Sequence, residues 1–381
     1  FNMMKKTLIA TAVASAFSLN AFAADVNING YLGAGFEFGD SEANGVETDG
    51  KTMAGPANSM LIINVNDELD NGMTAYGSFG YTLYSMNLGA ADQRFTRVGL
   101  RGDFGDAAWG MGEMIYEVGQ IFDGTSVDYN GGGNNTELSH TKLANGLFNF
   151  TRMDENVFIY SMNQIGMIKP TILYGFGADA EVTGDGTNGT TNGSTYDDGM
   201  LQLALDYNNG AGMNAQFAYA AYTDVDPTST ISIADDGAQP AGAADATGMR
   251  LTVRYDMGGI QLRGTYQMLE LDNENTIDFA DSDHYDGKTV ERDTMTLNIV
   301  IPTSTGRVMV AYGSSDDASV DGVSVAESGM TNYSVGYYYD LSSNVYLFAR
   351  FGKESEDANY DLADTTEDSV TTKVVGMRFL F

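Results

Sequence analysis

Ile260-Gln261-Leu262-Arg263-Gly264-Thr265-Tyr266-Gln267-Met268 alternates without a break. Successive side chains of an extended chain point to opposite sides. Ile260, Leu262, Gly264, Tyr266 and Met268 therefore share one face, and Gln261, Arg263, Thr265 and Gln267 share the other. A period of two held over this length predicts a strand. One of its faces is apolar; the other carries amide, hydroxyl and guanidinium groups and belongs in water.

The pattern spreads outward from this segment in both directions. In 26–38, Val26, Ile28, Gly30, Leu32, Ala34, Phe36 and Phe38 oppose Asn27, Asn29, Tyr31, Gly33, Gly35 and Glu37. Further on, Met295, Leu297, Ile299 and Ile301 alternate with Thr294, Thr296, Asn298 and Val300. Sixteen strands are expected, beginning near Val26, Asn58, Met73, Arg94, Ala107, Glu155, Gly166, Met200, Met213, Thr247, Ile260, Asp293, Arg307, Met330, Val345 and Thr371. Most hold about 9–11 residues, which a tilted strand needs to cross a bilayer. Short connections at 67–72, 103–106, 208–212, 256–259, 302–306 and 340–344 are rich in Gly, Asn or Asp and read as hairpin turns. Long ones occupy 39–57, 85–93, 115–154, 177–199, 224–246, 272–292, 315–329 and 352–370. Such a short–long rhythm is that of an up-and-down meander with its turns at one end and its loops at the other. The weakest turn is Gln164-Ile165, between 155–163 and 166–176.

Composition agrees with many strands and polar loops. Of 381 residues 46 are Gly, against a usual ~7%, and only 5 are Pro. With no Cys and two His, disulfide scaffolds and Cys- or His-built metal sites are excluded. There are 52 acids and 19 bases, a net charge of −33, a field that repels nucleic acid and favours cations. Residues 1–23 read as a cleaved signal peptide. Lys5 and Lys6 precede an uncharged apolar stretch, and Ala21-Phe22-Ala23 is an A-x-A cleavage site. Phe1 and Asn2, ahead of the first Met, fit no part of that pattern. Cleavage removes two lysines and no acid, so the mature chain, 24–381, is more acidic still. It has no second apolar run near the ~20 residues of a spanning helix.

An exported chain with apolar strand faces can pair two sheets or close one sheet in lipid. Tyr207, Tyr255 and Tyr339 each stand before a short turn, Phe381 ends the chain at the same level, and Trp109 and Tyr174 lie near other turns. Such a girdle suits a membrane rim, where an aromatic ring keeps its polar tip in the headgroups. In lipid no backbone group can stay unpaired, so the sheet must close. A barrel of sixteen strands is too wide to fill with side chains and encloses water.

The chain resembles the trimeric general porins of Gram-negative outer membranes. The end, Val375-Gly376-Met377-Arg378-Phe379-Leu380-Phe381, resembles their last strand. Residues 67–73 resemble their first periplasmic turn, 94–105 the strand and turn before the constriction loop, and 152–161 the strand after it. The resemblance covers the mature chain and implies an all-β, 16-stranded antiparallel transmembrane barrel. It also implies an in-folded third loop, about 115–154, with acids opposite basic wall residues. Matching wall positions are Arg94 and Arg152, with Arg97 and Arg101 by their shared parity; matching loop acids are Glu117, Asp123 and Asp128. Gly112-Glu113 stands where Gly-Arg is frequent, and 58–61 lacks a usual arginine, so the positive wall is thinned. Phe379 and Phe381 would be read by the barrel-assembly machinery. Implied partners are two further copies of the chain, outer-membrane lipid and lipopolysaccharide, small hydrophilic solutes and cations; no cofactor and no nucleic acid is implied.

Catalytic chemistry finds no support in the sequence. His284 beside Asp283 and His140 beside Ser139 lie in acidic or Gly-rich loops, and sequence neighbours rarely make triad geometry. The Gly/Thr/Asn run 183–195 lacks the period of a calcium β-roll, and no phosphate loop is present. The expected function is a passive, cation-preferring channel. The alternatives are a sugar-selective channel, for which lumen-side Tyr31 and Tyr76 are few and scattered, and a structural or adhesive barrel.

Overall fold

The computed structural model describes residues 25–43, 46–52, 59–83, 91–113, 153–176, 196–225, 244–273, 288–357 and 368–381. Cleavage after residue 23 lies outside them. The strands are β1 (Asp25–Ala43), β2 (Val46–Thr52), β3 (Ser59–Glu68), β4 (Thr74–Leu83), β5 (Ala91–Gly102), β6 (Gly105–Glu113), β7 (Met153–Ser161), β8 (Ile168–Gly175), β9 (Tyr196–Asn208) and β10 (Met213–Val225). They continue as β11 (Ala244–Met257), β12 (Ile260–Asn273), β13 (Thr289–Thr303), β14 (Gly306–Ser315), β15 (Ser319–Val320), β16 (Val323–Ser324), β17 (Met330–Asp340), β18 (Val345–Glu356) and β19 (Asp368–Leu380).

Neighbours in sequence pair antiparallel, and the sheet closes where β19 meets β1, with Ala34 opposite Met377. Phe381 seals the seam: its N–H donates to the Gly30 carbonyl at 3.1 Å, and the Gly30 N–H donates to the Phe381 carbonyl at 2.9 Å. Lower β1 pairs with β3 and upper β1 with β2, so β2 and β3 make one wall position. β15 and β16 form a hairpin that leaves the wall, with β15 laid against β13. The wall therefore has sixteen strands, as the periodicity predicts.

The protein is inside out relative to a water-soluble one. On β11, Met249, Leu251 and Tyr255 are exposed while Arg250 and Thr252 are buried. On β12, Tyr266 and Met268 are exposed while Arg263, Thr265 and Gln267 are buried. The outward face is thus the apolar one, as lipid requires. Four outward positions, Tyr255 to Met249, cover about 20 Å of strand at ~3.3 Å per residue. Trp109, Tyr174, Tyr255, Tyr339 and Phe381 all lie exposed on this outer side.

Turn chemistry fixes the short ends. Gly258 and Gly259 have φ of 59° and 105°, the left-handed pair that a two-residue hairpin matched to strand twist demands. At the β9–β10 turn the Asn209 side-chain oxygen accepts from the Ala211 and Met213 N–H groups at 2.8 and 3.0 Å. The weak β7–β8 turn forms, with Ile165 bridged to Ile168. Its neighbour holds it in place. Tyr160 Oη donates to the Phe104 carbonyl and Asn163 Nδ2 to the Asp103 carbonyl, both at 2.6 Å. Those bonds join residues about sixty apart, so no local motif announces them.

Flanking strands run a few residues into most of the expected long connections, and two of these contain strands of their own. Residues 39–43 continue β1, and β2 runs inside 39–57; β15 and β16 lie inside 315–329. Gly30 is a place of close approach within the wall. A Cβ there would collide with the Met60 carbonyl oxygen and stand 3.1 Å from the Phe381 ring. Its reason to be glycine lies within the wall.

Candidate functional site

The site is the inward face of the wall. Arg97 and Arg101 face it together, on β5. Arg101 Nε bonds Asp106 Oδ2 at 2.9 Å, and its guanidinium lies 4.9 Å from the Tyr76 ring. Tyr76 Oη donates to the other oxygen of Asp106 at 2.5 Å. Arg97 stacks on the Phe95 ring at 5.3 Å. Arg94 lies where β4–β5 register shifts, between Phe95 and Gln93, and Glu113 ends β6 opposite Met153. Their side chains lie outside the described residues, as do Arg152, Glu117, Asp123 and Asp128 altogether.

Among the described residues, the wall from β11 round to β19 carries more arginines than the wall from β1 to β8. Arg250 and Arg254 on β11, Arg263 on β12, Arg292 on β13, Arg307 on β14, Arg350 on β18 and Arg378 on β19 share the inward parity of their strands. With Arg97 and Arg101, every arginine with a described side chain points inward. Sequence reading missed the far seven, although Arg263 already stood on a polar face.

Polar partners hold several of them. Arg250 Nη2 donates to Gln216 Oε1 at 3.5 Å, and Gln216 Nε2 donates to Asp206 Oδ1 at 2.7 Å. Arg292 Nη2 donates to the Ser328 carbonyl at 2.9 Å, tying β13 to the segment behind the β15–β16 hairpin. Arg307 lies over Tyr338 at 4.8 Å and Tyr346 at 5.2 Å, with Asp340 3.6 Å away. Arg378 covers Tyr31 at 4.6 Å.

Two inward areas are not polar. Tyr338, Tyr346 and Phe348 pack with Val300, Met309, Ala311 and Val374 on β13 to β19. A second, larger cluster runs from β7 to β13 through Leu173, Ala204, Ala220, Tyr222, Leu269, Leu271 and Val290, and Val320 of β15 joins it. Ala318, Val320 and Val325, on and beside the β15–β16 hairpin, pack on it.

A family model of Gram-negative porins matches residues 10–359. The chain belongs to the Gram-negative porin family. This porin is therefore an outer-membrane β-barrel that forms a channel, and it lies in the membrane as a multi-pass barrel. Solved structures agree on the fold. The anion-selective porin from Comamonas acidovorans superposes with a TM-score of 0.67 at 17% identity, covering 94% of this chain and 100% of that one. OmpT, an outer-membrane protein of Vibrio cholerae, in its trimer form gives 0.61 at 14%, with coverage of 94% and 100%. Salmonella typhi OmpF in complex with daunomycin gives 0.58 at 14%, with coverage of 93% and 97%. A search of curated proteins finds no match to the porin.

Proposed function

We propose that the porin is a homotrimer that passes small hydrophilic solutes and ions by passive diffusion. The observation that carries this reading is the sixteen-stranded wall, apolar outside and polar inside, closed at Gly30 and Phe381. Trimers among similar structures support the assembly. The buried apolar cluster on β7 to β13 supports the in-folded third loop, since 115–154 is the long connection leaving that side of the wall. In this reading Glu117, Asp123 and Asp128 face the arginines, Phe379 and Phe381 address the assembly machinery, and lipopolysaccharide meets the outer rim. Mature protein begins at Ala24.

Charge divides the channel into two zones. The wall presents arginines, whereas most of the 52 acids fall in the long connections that form the mouth. A cation preference is therefore set at the mouth and opposed by the wall. The Comamonas acidovorans porin is anion-selective, but likeness at that identity carries the fold and not the selectivity. Planar-bilayer conductance tests the main reading. Diffusion gives a large current that rises with KCl without saturating; block by neutral sugars would mean a selective channel, and silence a structural barrel. Native mass spectrometry in mild detergent should find three chains; a monomer refutes the assembly.

A further inference from the structure

On the near wall, β1 to β8 enclose a polar bowl of about 640 Å³. One row of its lining crosses four strands at a single level: Asn27 is opposite Asn64, Asn64 opposite Ser78, and Ser78 opposite Arg97. At ~4.8 Å between strands the row is about 14 Å long. Each amide offers two donors and an acceptor with two lone pairs. Ser78 Oγ uses one acceptor site on Asn64 at 2.7 Å, and Asn29 uses one on Asn27 at 3.0 Å. Capacity for a ligand remains at both.

The two arginines of β5 differ here. Arg101 is neutralised by Asp106 and held by Tyr76. Arg97 is stacked on Phe95, its enclosed Nε makes no hydrogen bond, and among the described residues no carboxylate pairs with it. A positioned, uncompensated guanidinium suits a carboxylate, which it binds through two parallel N–H bonds. Lys169, on β8 opposite Asp206, adds a second cation to the bowl, whose lining also holds the carboxylates of Asp25 and Asp106.

We propose that the bowl is a binding station for hydroxylated carboxylates of the sugar-acid class. The carboxylate sits on Arg97 and the hydroxyls run along Ser78, Asn64 and Asn27. The station rests on the channel reading for its purpose, but its occupancy can be measured without conduction. The probe is labelled D-gluconate in equilibrium dialysis against the detergent-solubilised full chain, with acetate and sorbitol as competitors. Gluconate should bind saturably in the millimolar range, and neither competitor should displace it at equal concentration. Arg97→Gln should weaken binding about tenfold or more, the value of a charge-assisted pair. Asn64→Ala leaves the cation in place and should weaken it about threefold, as a lost neutral hydrogen bond would. Gel heat-modifiability confirms that each variant is folded. Undiminished binding by both variants, or displacement by acetate as effective as by gluconate, overturns the station. A chain that binds gluconate yet carries no current would refute the passive-diffusion reading and leave the station standing.

Discussion

At the scale of single residues the wall tolerates little where the chain closes. Gly30 lies between the Met60 carbonyl and the Phe381 ring, and its own backbone makes both hydrogen bonds to Phe381. Gly30→Ala forces a backbone shift at the end of the seam where the first and last strands meet. It should cost about 1–3 kcal/mol, the range for overpacking, read as a lower urea midpoint for unfolding from lipid vesicles. An unchanged midpoint would mean that the seam gives freely. Arg307 offers a second case. Its plane contacts two tyrosine rings and its charge meets Asp340. Lysine keeps the charge and loses the planar stack, so Arg307→Lys should cost about 1 kcal/mol by the same measurement. Neither residue could be singled out from sequence, because the neighbours that give each its role come from distant strands.

At the scale of strands, parity decides what a substitution does. Leu251 faces lipid and its neighbour Thr252 is buried on the inward side. Arginine at a mid-membrane outward position costs about 2–4 kcal/mol, so Leu251→Arg should fold poorly into vesicles while Leu251→Phe folds normally. Equal folding of the two would place β11 the other way round. The strands themselves were legible: the sixteen expected starts lie within a few residues of those observed, since one face in lipid and one in water enforces a period of two. β2 was hidden because Val46-Glu47-Thr48-Asp49-Gly50-Lys51-Thr52 has no apolar face to alternate. The β15–β16 hairpin was hidden by its brevity, although Asp321-Gly322, with φ of 51° and 76°, is a turn signal. Of the candidate wall residues that the resemblance implied, Arg97 and Arg101 share the inward parity of β5. The far arginines obey the same parity, but they are spread over six strands whose closeness exists only once the barrel shuts.

For the whole molecule, the decisive property is how charge is divided between mouth and wall. Acids on long connections stand in water, where the Debye length is about 30 Å at 0.01 M salt and about 3 Å at 1 M. At low salt they act together over the whole mouth and concentrate cations; at 1 M each is screened from the next. Several wall arginines are instead enclosed among neighbours, and enclosed charges are screened much less. An exposed side chain a few ångströms from an ion contributes only about 1 kcal/mol, so preference and not exclusion is expected. Reversal potentials under a KCl gradient should show K⁺ preferred near 0.01 M and the preference gone near 1 M, the two limits of screening. Glu113→Arg, at the end of β6, should lower the K⁺ preference at low salt. The far wall gives an independent check. Arg254, only partly enclosed and 3.7 Å from Asp256, projects into the lumen, so Arg254→Gln should raise K⁺ preference at low salt and less so near 1 M, where an exposed charge is screened. Wild-type protein that prefers chloride at low salt would show that the wall governs and that the mouth does not, and a preference independent of salt would place the selecting charges out of reach of screening.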